Sequence, residues 1–346
     1  MKATSNLEYL IKKVYSNTIR PSTPILNYFL LKGATPSIFS INTAFTELYL
    51  LCHKHVYKKG LELRPYKTIN LAGGILAPST SERSVMSLLK SGSRNILVHQ
   101  SEPFSTCTGR DSIFGQSITS IKKRHWAQLL YPEGGYQYVL LDYCQQEPAI
   151  AACFAFDQKL KAAYQAGDLY LYIGQHPALS HLQRSEVKAL VIPRSYGQSP
   201  EAYAKEHGIP LAEAQRRWSA LREIFNRVDA ELNHRSQLAF RDGYVRCRDW
   251  AAGVTPLSNP LAVRNWSVQA TGADIMRRAV IGLVDAGIDL RLTIHDAFLI
   301  RVPIAEQAQQ VAKAIAVLKQ ASSLVLDGFE LNVKVDGVFD GQVGMM

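Results

Sequence analysis

Two aspartates lie in or beside apolar stretches that have the character of strands. Asp142 ends "YQYVLLD", and Asp296 interrupts "LTIHDAFLIRVP", a run that is otherwise almost entirely apolar. A lone His-Asp pair in such a run is more often structural than catalytic. If the two carboxylates came together, however, they would repel each other strongly unless divalent cations lay between them. Phosphoryl and nucleotidyl transfer use such a pair of ions, one to lower the pKa of an attacking hydroxyl and one to stabilise the departing pyrophosphate.

A second segment, "RSEVKALVIPRSYG" (184–197), carries two cations and an aromatic at steps of four residues. On a helix, Arg184, Lys188, Ile192 and Tyr196 would form one slowly drifting stripe about 18 Å long, at about 1.5 Å per residue. Such a stripe can hold a triphosphate at one end and stack on a base at the other. Taken alone, the same pattern is more often a solvated amphipathic face.

The 346 residues are enough for two or three packed units with a real core. No apolar run is long enough for a membrane span, and the N-terminal "MKATSNLEYLIKK" lacks the apolar region of a signal peptide. We therefore expect a cytoplasmic protein. The five cysteines are never spaced as CxxC, so the sequence suggests neither a disulfide framework nor a zinc site.

The positive charge is concentrated at the N-terminal end. Residues 1–100 contain 13 Lys and Arg against 4 acidic residues, a balance of +9, whereas residues 101–346 contain 26 against 25, a balance of +1. This asymmetry predicts a surface that binds a polyanion. A solvated basic face is the alternative, and a membrane surface is a weaker one because the basic residues are scattered.

The sequence pattern alternates between helical and strand-like segments. Helices are predicted before residue 60 in "NLEYLIKKVY", "PILNYFLLKG" and "NTAFTELYLLCHKHVYKK", followed by a connection at "LAGGILAPSTSERS". Residues 158–240 are predicted to be mostly helical. Strand-like segments recur at "LRLTIHDAFLIRVP" and "FELNVKVDGVF", on either side of a predicted helix. We therefore expect a sheet assembled from distant segments with a helical insertion between them.

Five short motifs occur in one order along the chain: "TCTGR" (106–110), "DYCQQE" (142–147), "RSEVKALVIPRSYG" (184–197), "NWSVQATGAD" (265–274) and "IHDA" (294–297). In that order they resemble TxTGR, DYSQIE of motif A, RxxxKxxxFxxxYG of motif B, NxPxQGTAAD, and VHDE of motif C. These are the motifs of the polymerase core of the DNA polymerase I family, known as family A. The resemblance covers roughly residues 98–345.

The resemblance implies an α+β fold of the right-hand polymerase type, with an antiparallel palm sheet, helical fingers and a reduced, basic, helical thumb-like N-terminal region. The corresponding divisions are 1–97 for the thumb-like region, 98–153 for the first part of the palm, 154–267 for the fingers and 268–346 for the second part of the palm. The implied reaction is template-directed addition of dNMP to a primer 3′-hydroxyl, with dNTPs and primer-template DNA as partners.

The resemblance also implies roles for the matching residues. Asp142 and Asp296 would bind two Mg²⁺ ions, with Mn²⁺ as an alternative, and the backbone carbonyl of Tyr143 would be a further ligand. Arg184 and Lys188 would bind the incoming triphosphate. Lys188 would also act catalytically by protonating the leaving pyrophosphate.

The remaining positions implied by the resemblance contact the nucleotide or the DNA. Glu147 would be the steric gate that excludes a ribose 2′-hydroxyl, and Tyr196 and Gly197 would flank the nascent pair and the template base. The nucleotide site would also include Gln145, Tyr170 and Ile192, and the primer-template contacts would be Arg110, Asn265, Gln269, His295 and Gly197. Minor-groove acceptors are similar in every Watson-Crick pair, so such donors can test geometry without reading sequence. The structural alternatives are a helix-start residue for Glu147, an exposed pair for Asn265 and Gln269, and a turn residue for Arg110.

Several positions depart from the family pattern. Pro193 lies inside the predicted motif B helix, where it removes a backbone hydrogen bond and crowds the preceding turn, so it should bend or end the helix. No departure removes either proposed metal-binding aspartate, so activity is still expected. The other departures are Pro148 and Ala149 for a Leu-Arg pair, Tyr170 for a phosphate-binding histidine, Ile192 for an aromatic, and Ala297 for the motif C glutamate.

Proofreading is not expected. The family's 3′ to 5′ exonuclease is built on aspartates and glutamates, and residues 1–100 contain no aspartate. Instead, a reduced thumb that grips duplex through its phosphates is expected there. The sequence leaves open a role in a phage, a plasmid or repair, and it gives no indication of accessory replication proteins.

Two rival functions remain open at this point. One is a single-subunit RNA polymerase or a primase-like enzyme, against which Glu147 argues because those enzymes have a small residue at the gate. The other is a degenerate polymerase core that only binds nucleic acid, suggested by Ala149, Pro193 and Ala297.

Overall fold

The computed structural model describes residues 43–64, 96–115 and 117–341. The third predicted N-terminal helix is confirmed as Thr43–Tyr57. The first two, over 6–15 and 24–33, and the predicted connection over 71–84 lie outside the described residues, as does most of the predicted thumb-like region.

The described part of the chain contains both helices and strands. The strands are β1 Leu61–Glu62, β2 Ile96–Leu97, β3 Gln100–Glu102, β4 Ser112–Phe114, β5 Tyr136–Tyr143, β6 Tyr244–Arg246, β7 Ala251–Gly253, β8 Asp289–Ile294, β9 Ala297–Pro303 and β10 Val333–Phe339. The helices are α1 Thr43–Tyr57, α2 Trp126–Leu129, α3 Gln146–Phe154, α4 Gln158–Gln165, α5 Leu169–Gly174, α6 Arg184–Ser195, α7 Pro200–His207, α8 Leu211–Ile224, α9 Asn226–Asp242, α10 Pro260–Asp285 and α11 Gln307–Val325. None of these helices is long and apolar enough to cross a membrane.

The chain divides into two compact units. The first is built from the segments up to residue 144 and from residue 273 onward, and the second comprises residues 145–272. The predicted fingers segment, 154–267, falls inside the second unit. Nothing in the structure tests the functional divisions themselves, which stay predictions.

A four-stranded antiparallel sheet forms the centre of the first unit, in the order β10-β5-β9-β8. Strand β5 is the apolar run that ends at Asp142, and its residues from Tyr138 to Leu141 are at most 3 % exposed. Such a continuous apolar run is typical of a strand covered on both faces. Helix α11 packs against β9 and β10, and α1 packs against β8. The sheet therefore pairs β5 with segments roughly 155 to 200 residues further along the chain, and this pairing fixes the position of the end of β5.

The stretch "LTIHDAFLIRVP" forms a β-hairpin of two antiparallel strands, β8 and β9. Ile294 pairs with Ala297, so His295 and Asp296 make up the two-residue turn between β8 and β9. His295 adopts a left-handed backbone with φ 54°, as a turn of this length requires of at least one residue. Asp296 therefore lies beside the strands and not within one, in the turn directly before β9.

The second unit is mostly helical, as predicted. Side chains at the helix starts accept backbone N–H bonds, with Asp157 before α4, Asp168 before α5 and Ser199 before α7. Helices α7 and α9 end at Gly208 and Gly243, which have φ of 63° and 80°. Together, the antiparallel sheet and the helical second unit confirm the α+β fold class.

Candidate active site

The end of β5 and the β8–β9 turn bring the two predicted metal-binding aspartates to adjacent backbone positions. Asp142 is the register partner of Ala297, the residue that follows Asp296. The next N–H along, that of Tyr143, donates to the backbone carbonyl of Asp296 over 3.2 Å. Because this contact is part of the sheet's hydrogen-bond pattern, the spacing of the two aspartates is set by backbone register and not by flexible side chains.

Asp142 is also paired with a cation from the opposite strand. Lys334 of β10 is its register partner, and the Lys334 Nζ lies 3.1 Å from the Asp142 Oδ2. Burial raises the pKa of Asp142 above its usual value, although Lys334 acts in the other direction. Burial thus disfavours the ionised carboxylate, and the Lys334 ammonium offsets part of that effect.

The residues at this position fit a divalent cation by their chemistry. Two carboxylates and backbone carbonyls are the oxygen ligands that Mg²⁺ prefers, and the Lys334 ammonium already occupies a cation position beside Asp142. Within residues 43–64, 96–115 and 117–341, no group of three or more His, Cys, Asp or Glu side chains could hold a metal ion. Any ion bound here would therefore depend on the two aspartates, the main chain and its substrate.

In the second unit, α6 presents the predicted cationic stripe. Val187, Leu190 and Val191 form its buried face, whereas Arg184 and Lys188 are exposed on the other side. Lys188 has no ion-pair partner within the part of the chain that the structure describes. Its ammonium is therefore available to an external anion.

Arg184 is held by its neighbours. Its Nε donates to the Asp168 carboxylate over 2.5 Å, and its guanidinium lies 5.5 Å from the centre of the Tyr170 ring. Partial burial opposes the ionisation of Asp168, but the bonds from Arg184 and from the backbone of Leu171 lower its pKa overall. Tyr170 itself is only 3 % exposed, so in this arrangement it supports Arg184 more than it presents a surface of its own.

Helix α6 continues through Pro193, and Tyr196, the last residue of the predicted stripe, directly follows the end of the helix. The helix runs through Pro193 to Ser195 and ends within a turn of it, as expected. Tyr196 follows as the capping residue, and its hydroxyl donates to the Glu147 carboxylate over 2.8 Å. The Gln269 amide reaches the same hydroxyl at 3.5 Å. Three residues predicted from three different motifs, Glu147, Tyr196 and Gln269, thus form one hydrogen-bonded group.

The other predicted residues of this unit, Gln145, Gly197 and Asn265, differ in backbone conformation and burial. Gln145 has a left-handed backbone and its side chain accepts the N–H of Leu169. Gly197 has φ 88°, and a Cβ there would come within 3.0 Å of the Leu261 side chain. Asn265 is 4 % exposed, and its amide nitrogen lacks a hydrogen-bond partner among the described residues. Because Asn265 is buried, Asn265 and Gln269 do not form the exposed surface pair that was the structural alternative.

Arg110 lies in a tight loop of the first unit that is held by hydrogen bonds with Thr106 and Arg277. Thr106 accepts the backbone N–H of both Gly109 and Arg110, through its carbonyl and its hydroxyl. The Gly109 carbonyl accepts a 2.6 Å bond from Arg277, which is 2 % exposed and ion-paired with Asp274. The Arg110 side chain is partly exposed and His295 is exposed, as external contacts require.

Sequence reasoning missed Lys334, and it did not assign Asp274 or Arg277. For Lys334, the only signal was the alternation in "NVKVD", which places Lys334 and Asp336 on one face of a strand. Its pairing with Asp142 depends on strand register, which the sequence did not give.

An antiparallel sheet that carries two aspartates at one end, followed in the chain by a helical unit with a cationic helix, agrees with the polymerase-core architecture expected from the motifs. The family model described as DNA polymerase family A matches residues 98–339. The chain belongs to this family.

Curated relatives and solved structures point the same way. The DNA polymerase of Mycobacterium phage D29 is 26% identical over 232 residues, which cover 62% of this chain and 37% of that protein. DNA polymerase I of Aquifex aeolicus (strain VF5) is 27% identical over 267 residues, 67% of this chain and 43% of the relative. The chain thus spans less than half the length of these relatives.

The structure is similar to the POL domain of Pol1 from M. smegmatis, solved in complex with DNA primer-template and dNTP. The TM-score is 0.64 at 19% sequence identity, covering 98% of this chain and 64% of that one. The fold of a family A polymerase core is therefore established for this chain.

Proposed function

We propose that the chain is a DNA-directed DNA polymerase that extends a primer by two-metal catalysis and does not edit. In this reaction the primer 3′-hydroxyl oxygen bonds to the α-phosphorus of a dNTP, and the bond from that phosphorus to pyrophosphate breaks. Membership of family A supports the activity, and the complex of the M. smegmatis relative with primer-template and dNTP supports the partners.

The observation that carries the proposal is the backbone-fixed proximity of Asp142 and Asp296. These two carboxylates and the Tyr143 carbonyl would hold the ions, with Mg²⁺ as the first choice and Mn²⁺ as the alternative. The bound ions would lower the pKa of the 3′-hydroxyl and stabilise the leaving pyrophosphate. The residues themselves contribute rigidity, because the backbone register of the sheet fixes where both aspartates lie in the chain.

Arg184 and Lys188 of α6 would bind the triphosphate of the incoming nucleotide. Lys188 is exposed on the same helix face as Arg184, and an ammonium there can bind phosphate oxygens and supply a proton to the leaving group. Asp168 and Tyr170 restrict the Arg184 guanidinium, which reduces the entropy lost when it binds an anion.

Glu147 supports selection of deoxyribose. Its carboxylate is held by the Tyr196 hydroxyl, so it is fixed in position as a steric gate must be. This contact favours a DNA polymerase over the RNA polymerase alternative.

Primer extension tests the proposal directly. We expect the wild type to extend a labelled primer with dNTPs and Mg²⁺, and Asp142→Ala and Asp296→Ala to lose about three orders of magnitude in rate or more. Asp242→Ala, which removes an exposed carboxylate at the end of α9, is the matched control and should extend normally. Equal extension by all four proteins would refute the proposal, and DNA binding without extension in the wild type would favour the binding-only alternative.

The same assay separates the DNA and RNA polymerase alternatives and tests editing. With NTPs in place of dNTPs, the wild type should extend poorly, and Glu147→Ala should reduce the preference for dNTPs by about tenfold or more. Robust NTP use by the wild type that Glu147→Ala leaves unchanged would favour the RNA polymerase. A primer labelled on a mismatched 3′-nucleotide should keep its label without dNTPs, whereas its excision would contradict the absence of editing.

A further inference from the structure

A chain of alternating charges leads from the surface to the candidate metal site. Lys123 is ion-paired with Asp336, Asp336 is 3.1 Å from Lys334, and Lys334 is 3.1 Å from Asp142. The Lys334 Nζ is therefore placed equally close to two carboxylates, of which only Asp142 belongs to the candidate metal site.

The strand geometry explains this arrangement. Lys334 and Asp336 are two residues apart on β10, and the Lys334 ammonium contacts the Asp336 carboxylate. The β10–β5 register shifts between Val335 and Gly337, which leaves Asp336 without a register partner on β5. Such a bulge redirects the side chains around it, and here it places an additional carboxylate within reach of the lysine.

The exposures of the side chains suggest which group moves. The Asp142 side chain is 19 % exposed and belongs to a central strand, whereas the Lys334 side chain is 50 % exposed. A flexible, half-exposed lysine can release Asp142 and remain paired with Asp336. Because Lys334 never loses all of its partners, the cost of that release is small.

A divalent ion and the Lys334 ammonium would compete for the same carboxylate. A positive charge about 3 Å from a ligand oxygen repels an arriving cation, and it has to move away or be tolerated there. Without that charge, the acidic pair would bind a divalent ion more tightly but would repel itself in the metal-free chain.

We propose that Lys334 is a positioning residue that acts as an internal counter-cation, holding Asp142 in the metal-free chain and moving to Asp336 when a divalent ion binds. Lys334 thereby lowers the affinity of the site for divalent cations. The inference rests on the proposed function insofar as that function assigns Asp142 as a metal ligand.

Direct metal binding tests this role without relying on catalysis. Free Mn²⁺ is measured by electron paramagnetic resonance during titration of the full chain, without DNA or nucleotide. We expect Lys334→Met, which keeps most of the stem and removes the charge, to tighten Mn²⁺ binding by roughly tenfold. Lys319→Met, which removes a lysine whose nearest carboxylate is Glu330 at 3.7 Å, is the matched control and should leave the affinity unchanged.

A second background makes the test specific to Asp142. In the Asp142→Asn variant the carboxylate that Lys334 shares with the candidate metal site is removed, and Lys334 keeps only Asp336. Adding Lys334→Met in this background should therefore no longer change Mn²⁺ affinity. Equal or weaker binding by Lys334→Met, no measurable binding in either protein, or a shift that persists in the Asp142→Asn background would each overturn the inference. Primer extension by the wild type is measured in parallel. Failure of extension would count against the proposed function, whereas the Mn²⁺ titration tests the role of Lys334 independently of it.

Discussion

At the scale of single residues, local motifs and long-range contacts differ in how well the sequence reveals them. The proximity of Asp142 and Asp296 could be predicted because each occupies a short motif that carries its own signature, and their role as metal ligands stays a prediction. Lys334 could not be predicted, since its contact with Asp142 exists only through the register of β10 on β5. The Glu147–Tyr196 hydrogen bond was predictable only in part, because both residues were singled out from the sequence but their contact was not.

His99 is a residue whose protonation should control stability. It is 3 % exposed, its Nε2 accepts the backbone N–H of Ile118 over 3.1 Å, and burial lowers its pKa from 6.5 to about 4. Above pH 6.5, His99 is neutral in both the folded and the unfolded chain and has no effect on pH dependence. Between pH 6.5 and 4, the unfolded chain binds the proton more readily, so the free energy of unfolding falls by roughly 3 kcal/mol through this group.

Urea unfolding at a series of pH values from 7.5 to 4 measures this effect. His99→Gln keeps a hydrogen-bond acceptor but cannot take up the proton, so its free energy of unfolding should fall less steeply than that of the wild type over this range. The exposed His234→Gln is the control and should follow the wild type. A His99→Gln curve parallel to that of the wild type would show that His99 does not account for the pH dependence.

At the scale of elements, the mostly helical character of residues 158–240 was predicted from the sequence, but the ion pairs that join these helices were not. Helix α6 contributes Arg194, α9 contributes Asp229, and α10 contributes Arg264. Asp229 accepts from both guanidiniums, over 2.6 Å from Arg264. Arg194 directly follows Pro193, so this cluster anchors the helix end that the proline weakens. The pairing could not be predicted because it joins residues 35 positions apart.

Removing Asp229 should destabilise the second unit. The side chains of Arg194 and Arg264 are 12 % and 16 % exposed, so Asp229→Ala leaves two largely buried positive charges without their carboxylate. We expect a loss of about 3 kcal/mol in the free energy of unfolding. Glu231→Ala removes the partner of Arg235 in an i,i+4 pair of the same helix and should cost about 0.5 kcal/mol or less. Chemical denaturation of both variants measures the difference, and equal losses would argue against a special role for the Asp229 cluster.

At the scale of the whole molecule, the order of the motifs was enough to predict the family and the α+β class. The sheet that unites β5 with β8, β9 and β10 follows from chain segments whose apolar patterns are visible in the sequence. Strand order and register were not predictable, because similar apolar strands can pair in several ways. The uneven distribution of charge, in contrast, is a property of the sequence alone, and it leads to a prediction about DNA binding.

The basic excess of the first hundred residues should appear as salt dependence. Lys54 and Lys58 are exposed on α1 and just beyond its end. If this surface contacts duplex phosphates, each lysine releases about one counterion on binding, and the double variant Lys54→Gln, Lys58→Gln should lower the slope of log Kd against log salt by about 2. The affinity should weaken similarly for unrelated duplex sequences, since phosphate contacts carry no sequence information.

The control is the double variant Lys313→Gln, Lys319→Gln on α11, which removes the same charge elsewhere in the first unit and should leave the slope unchanged. Fluorescence anisotropy across a salt series measures both slopes, and equal reductions in the two double variants would mean that net charge, and not a basic surface at α1, governs the binding.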